Sequence, residues 1–165
     1  MKYDFNQFEL IETNTSLDKV VVRSGHTELT SKNLLEQVEK IFEKIKETNI
    51  SDSSPIVLYG EKEIEFIPAI LACWRLDHPF AIADTISPEL KREKFLNDLG
   101  AELLIDLNLN EYKKIENRSV NTHKKSIAYF ILTSGSTNLP NIIEISKSNL
   151  AAFSNWLDKE FDFSA

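Results

Sequence analysis

"SIAYFILTSGSTNLPNIIEIS", residues 126–146, decides how the rest of the chain is read. Ile127 to Leu132 is an unbroken apolar run of strand length, the pattern of a strand covered on both faces. Thr133, Ser134, Gly135, Ser136 and Thr137 follow at once, hydroxyls gathered around a glycine, with Asn138, Pro140 and Asn141 beyond them. "NIIEIS" is expected to return as an antiparallel partner, and Ser146 or Ser148 to open a last helix carrying Leu150, Phe153 and Leu157. Backbone N–H groups converging at a glycine turn, flanked by hydroxyls, can cradle phosphate oxygens. The same residue types also make ordinary turns, so the stretch alone leaves both readings open. A Walker loop is excluded because no GK[ST] follows. A Rossmann fingerprint is excluded too, since the four glycines, Gly25, Gly60, Gly100 and Gly135, stand far apart.

Upstream, strands and helices are expected to alternate. "KVVVRSGHTELT" reads as two short strands turning at Ser24-Gly25. Ser31 is the expected N-cap of a helix whose apolar positions Leu34, Leu35, Val38, Ile41, Phe42 and Ile45 keep helical spacing to about Thr48. "PIVLYG" is a buried strand stopped by glycine, and a largely apolar helix follows over about Glu63 to Leu76. "HPFAIAD" is a strand, Ser87 and Pro88 open a third helix that Gly100 stops, and "AELLID" is another strand. Residues 106–125 read as a polar, variable loop, and residues 1–17 as an N-terminal extension. This order predicts a layered α/β fold with a mostly parallel sheet flanked by helices, one unit over 1–165. Such sheets hold ligands beyond the carboxyl ends of their strands, which is where Thr133 to Thr137 fall.

Composition excludes whole classes of function. A net charge of −7 argues against a broad nucleic-acid or anionic-membrane surface, so neither partner is expected. The lone Cys73 leaves no disulfide framework or cysteine metal cluster and reads as a buried structural thiol. His26, His78 and His123 are not at metal-ligand spacing, and no metal ligand or catalytic residue is assigned. No signal core or membrane span is visible, which makes the cytoplasm the expected compartment. Glu61, Glu63 and Glu65 read as carboxylates favouring a helix start, Asp84 as a turn or cap residue, and Trp74 and Trp156 as core or interface.

"YFILTSGSTNLPNIIEISKSNL" resembles the phosphate-loop motif of the adenylate-forming superfamily, TSGSTGxPKG followed by a strand and a helix. Two earlier segments agree in order: "TELTSKNLLEQV" is similar to that family's LTYxEL, and "LACWRLDHPFAIAD" to its LKAGxxYVPxD. Within the superfamily the likeness is to ligases that load D-alanine onto a carrier protein and to nonribosomal-peptide adenylation domains. The resemblance implies the N-terminal part of an adenylation domain. It implies ATP with Mg, an acyl-adenylate intermediate and a carrier protein as partner. It places the phosphate contacts at Thr133, Ser134, Gly135, Ser136 and Thr137, with Asn138 standing for a glycine, Asn141 for the family's lysine and Ile142 for the next glycine. A charge-assisted contact contributes roughly 1.5–3 kcal/mol against 0.5–1.5 for a neutral one, so Asn141 is expected to weaken ATP binding.

The resemblance further implies that the acid pocket, the adenine contacts and a catalytic lysine belong to segments after Ala165. The chain by itself is therefore expected to be inactive, and to associate with a completing chain of a split ligase or with itself. The alternative is a non-catalytic relic of such a domain that serves as an interaction module.

Overall fold

The computed structural model describes residues 16–61, 64–84, 89–116, 126–133 and 141–161. Eight strands and four helices are described: β1 Val20–Ser24, β2 Thr27–Thr30, α1 Ser31–Glu47, β3 Ile56–Gly60, α2 Phe66–Arg75, β4 Phe80–Asp84, α3 Glu89–Leu99, β5 Leu103–Asp106, β6 Glu111–Lys114, β7 Ile127–Thr133, β8 Asn141–Ser146 and α4 Lys147–Glu160. β1 and β2 form a small antiparallel hairpin, with Gly25 at φ +57 in its turn. The other six strands make one sheet in the order β6-β5-β3-β4-β7-β8. The four inner strands are parallel, and β6 and β8 run antiparallel at the two edges.

Strand alternation divides the apolar side chains between two cores. Ile56, Leu58, Phe80, Leu103 and Ile105 join Leu34, Val38 and Ile45 of α1 and Phe66, Ala69 and Ala72 of α2 on one face. Val57, Ala81, Phe130 and Ile127 meet Phe95, Leu96 and Leu99 of α3 on the other. Ile127 and Phe130 share a face at odd spacing because the β7–β8 register shifts between Ile127 and Tyr129. Across the α1–α2 contact, Arg75 pairs with Glu39 and lies over the Phe42 ring, 4.1 Å from its centroid. Cys73 is fully buried in the first core, and burial raises its thiol far above the ordinary range, so it stays protonated and inert.

The element ends carry the corrections. The N-cap of α1 is Thr30, not Ser31: its extended backbone lets Oγ1 accept from the Asn33 N–H at 3.2 Å, while Ser31 is the first helical residue. α2 begins at Phe66 rather than near Glu63, with Pro68 inside its first turn, where no N–H is missed. Ser146, rather than Ser148, caps α4 through a reciprocal box with Asn149. Part of the expected polar loop over 106–125 is a hairpin instead. Asp106 Oδ1 accepts from the Leu109 N–H at 3.0 Å, Asn110 takes φ 54, and charged β6 pairs with β5. A short edge strand of Glu, Tyr and Lys has no apolar alternation to betray it. Ser87 and Pro88, expected to open α3, lie outside the described residues.

Two helix ends share one device. After α3, Gly100 at φ +69 donates to Asn97 O and Ala101 to Leu96 O, both at 3.1 Å, a Schellman stop. After α2 the same geometry falls on Asp77, φ 62, in the place where the resembled LKAGxxYVPxD segment carries glycine. Asp77 also pairs with Lys147 at the start of α4. Beside it, His78 is buried, and its Nδ1 donates to Ser54 O at 2.9 Å. Burial holds the His78 pKa below the ordinary imidazole value, more than the nearby Asp52, Asp77 and Glu102 raise it.

Gly100→Ala should cost about 1 kcal/mol in urea unfolding, since a Cβ is disfavoured in the left-handed region. Because the unfolded chain binds a proton at His78 more readily than the folded one, stability from this residue is full above about pH 6.5 and declines as pH falls. Urea midpoints at pH 7.5 and 5.5 should therefore diverge, and His78→Gln should narrow the gap.

Candidate functional site

Parallel pairing brings the carboxyl ends of β3, β4, β5 and β7 to one edge of the sheet, at Gly60, Asp84, Asp106 and Thr133. Gly60 pairs with Asp84, and Tyr59 with Asp106. The connection after β3 passes over the α2 face and that after β4 over the α3 face. Adjacent strands whose crossovers leave to opposite sides open a crevice at their carboxyl ends, here between β3 and β4. Sequence reasoning placed its candidate beyond β7 alone. The β3–β4 crevice follows from strand order, which no motif encodes.

The chain leaves the sheet at Thr133 and re-enters it at Asn141, and these two residues pair across the β7–β8 ladder. Ser134, Gly135, Ser136, Thr137, Asn138 and Pro140 lie outside the described residues. Thr133 is half-buried, Asn141 exposed, and both are neutral. A hydroxyl and a carboxamide are neutral groups able to donate hydrogen bonds to an anion, and neither is the cation that the resembled motif carries at this point. Ile142 pairs with Leu132 and packs with it against the second core. Its branched side chain is accounted for by packing.

Glu61 is exposed, and its N–H donates to Asn108 Oδ1 at 3.3 Å; Glu65 occupies the N-cap of α2 without a side-chain cap bond; Glu63 is outside the described residues. Trp74 donates from Nε1 to Ala128 O at 3.0 Å and packs on Phe80, which ties α2 to β7. Gly60 is buried where the β5–β6 turn crosses: an added Cβ would lie 3.2 Å from Asn108 Oδ1 and 3.3 Å from Leu107 Cβ. A cleft of about 510 Å³ runs between α3 and the β5–β6 hairpin, past Glu93, Leu96, Lys113 and Glu116. Another of about 340 Å³ lies between α1 and Tyr112, whose hydroxyl burial pushes up to about 12. Neither cleft is lined by Thr133 or Asn141. Among the described residues no group of three or more His, Cys, Asp or Glu could hold a metal ion, and no helix is long and apolar enough to cross a membrane.

A mostly parallel sheet between helices, which the chain leaves at Thr133 and re-enters at Asn141, defines a layered α/β fold. The chain belongs to the AMP-binding enzyme family, whose model matches residues 11–122. That match ends before Thr133, and the likeness to curated relatives covers more of the chain. The chain is 28% identical to the D-alanine–D-alanyl carrier protein ligase of Bacillus licheniformis, over 93% of this chain and 35% of the relative. It is 25% identical to the ligase of the same name from Lactococcus lactis, over 87% and 33%. It thus spans about a third of the length of these curated relatives.

Among solved structures, o-succinylbenzoate coenzyme A synthetase from Bacillus subtilis, in complex with AMP, superposes with a TM-score of 0.70 at 16% identity, covering 96% of this chain and 46% of that one. The N-terminal subdomain of Klebsiella oxytoca NpsA gives 0.66 at 19%, covering 88% and 41%. These likenesses establish the expected fold, the N-terminal portion of an adenylation domain.

Gly60→Ala should destabilise the protein by about 1–3 kcal/mol in urea unfolding, because Leu107 and Asn108 must shift to admit the methyl group. A change within about 0.5 kcal/mol would show that the β5–β6 turn yields freely.

Proposed function

We propose that this chain is the N-terminal part of an ATP-dependent ligase that joins an acid, an amino acid if it follows the carrier-protein ligases it is similar to, to a carrier protein through an acyl-adenylate. One observation carries the reading: an ordered likeness to carrier-protein ligases over 93% of the chain. Support comes also from the pairing of Thr133 with Asn141 where β7 ends at the carboxyl edge of the parallel strands. On this reading Thr133, Ser134, Gly135, Ser136, Thr137, Asn138 and Asn141 face the phosphates of ATP, delivered with Mg²⁺. On the same reading the acid pocket and the catalytic lysine belong to parts of the ligase other than residues 1–165, and residues 1–165 by themselves do not turn over.

Asn141 favours a second reading, a retired adenylation fold that serves only to bind a partner. A neutral carboxamide at the mouth of the loop gives up the charge-assisted contact and keeps only hydrogen bonding. The two readings part on one measurement.

Calorimetric titration with Mg·ATP should show weak binding to the wild-type chain and about tenfold tighter binding to Asn141→Lys, the gain of about 1.4 kcal/mol that a charge-assisted contact provides. Asn141 is exposed, so the substitution leaves the fold intact. Absence of heat with both proteins would overturn the nucleotide site and leave the retired fold.

A further inference from the structure

Helix dipoles favour anions at the amino end of a helix and cations at the carboxyl end. Two residues here stand the other way round. Asp77 follows the Leu76 C-cap of α2, a carboxylate at that helix's negative pole. Lys147 is the first residue of α4, an ammonium at a positive pole, and no acidic residue stands in that helix's first turn. Asp77 is disfavoured a second time by its backbone. At φ 62 it takes the left-handed conformation that glycine adopts without cost, at the position where the resembled segment has glycine. Neither residue suits its own helix.

They suit each other. Lys147 Nζ donates to Asp77 Oδ1, and the lysine side chain is only 28% exposed. Each charge is offset by the one on the other helix, and the pair joins the carboxyl end of α2 to the amino end of α4. Backbone bonds set both residues in place: the Asp77 N–H donates to Trp74 O at 3.0 Å, and the Lys147 N–H to Ser126 O at 2.8 Å. Trp74 in turn donates to Ala128 O, which holds this end of α2 on β7.

The attachment of α4 differs from that of the other helices. α1 buries Leu34, Val38 and Ile45, α2 buries Phe66, Ala69 and Ala72, and α3 buries Phe95, Leu96 and Leu99. α4 has no buried residue. A helix with little apolar burial opens locally at low cost, so a single ion pair matters more to it than to its neighbours.

We infer that Asp77 and Lys147 form an electrostatic latch that holds α4 to the end of α2. Ionic strength, or a charged group competing for either residue, opens it while the sheet and the other helices stay closed. The latch stands independently of the ligase reading.

Hydrogen exchange read by mass spectrometry at pH 7.5 tests it, comparing peptides from α4 with those from α1 and β3. Asp77→Asn removes the charge and keeps a residue that tolerates the left-handed turn. It should speed exchange in α4 about threefold and leave α1 and β3 unchanged. Lys147→Met should also speed exchange in α4, but add nothing once Asp77→Asn is present. Raising NaCl from about 0.05 to 1 M should bring wild-type α4 close to the Asp77→Asn rate and move the variant little. Asp77→Gly separates the latch from the helix stop: the urea midpoint should rise as the turn relaxes, while α4 still exchanges faster. Unchanged α4 exchange in Asp77→Asn, additive effects of the two substitutions or equal salt responses would each overturn the latch. Loss of protection throughout the Asp77→Asn protein would overturn it as well, since the pair would then support the whole fold and not one helix.

Discussion

Everything in this fold hangs on β3, whose side chains part alternately to two cores. Ile56 and Leu58 enter the layer of α1 and α2, while Val57 and Tyr59 enter that of α3. Two consecutive crossovers must then leave on opposite faces to cover both sides, and this sets the strand order with β3 between β5 and β4. The crevice at Gly60 and Asp84 follows from that covering. So does the position of β7, which pairs with β4 and ends at the same carboxyl edge.

Much of this was legible before the structure. The run from Ile127 to Leu132, the glycine after "PIVLY" and the helical spacing from Leu34 to Ile45 each report burial, and burial writes itself into apolar periodicity. The misses fall where another force decides. Thr30 rather than Ser31 caps α1 because the cap depends on one residue's extended backbone, not on which hydroxyl comes first. β6 went unseen because an edge strand is made of charged residues so that it does not pair further. The Asp77 turn was hidden by the absence of glycine, yet the backbone takes the left-handed conformation all the same and adds an ion pair to Lys147.

The candidate site was legible as a motif but not as a place. Thr133 and Asn141 were read as members of one loop, and the ladder pairs them as its two ends. Ile142, which stands where the resembled motif has a glycine, goes to the second core with Leu132. What separates this chain from the TSGSTGxPKG pattern at the described end of the loop is therefore chiefly the charge at Asn141.

The antiparallel return of β8 has an electrostatic consequence. In many phosphate sites the glycine loop runs straight into a helix, whose macrodipole aims partial positive charge at the anion. Here the loop runs into β8, and α4 begins only after Ser146, which stands opposite Ile127 at the amino-terminal edge of the sheet. The positive pole of the helix that follows the loop is thus a strand's length away from it. With that field pointed elsewhere, an anion bound at the loop on the proposed reading would have no helix pole beside it, and Asn141, neutral at the described end of the loop, adds no charge in its place.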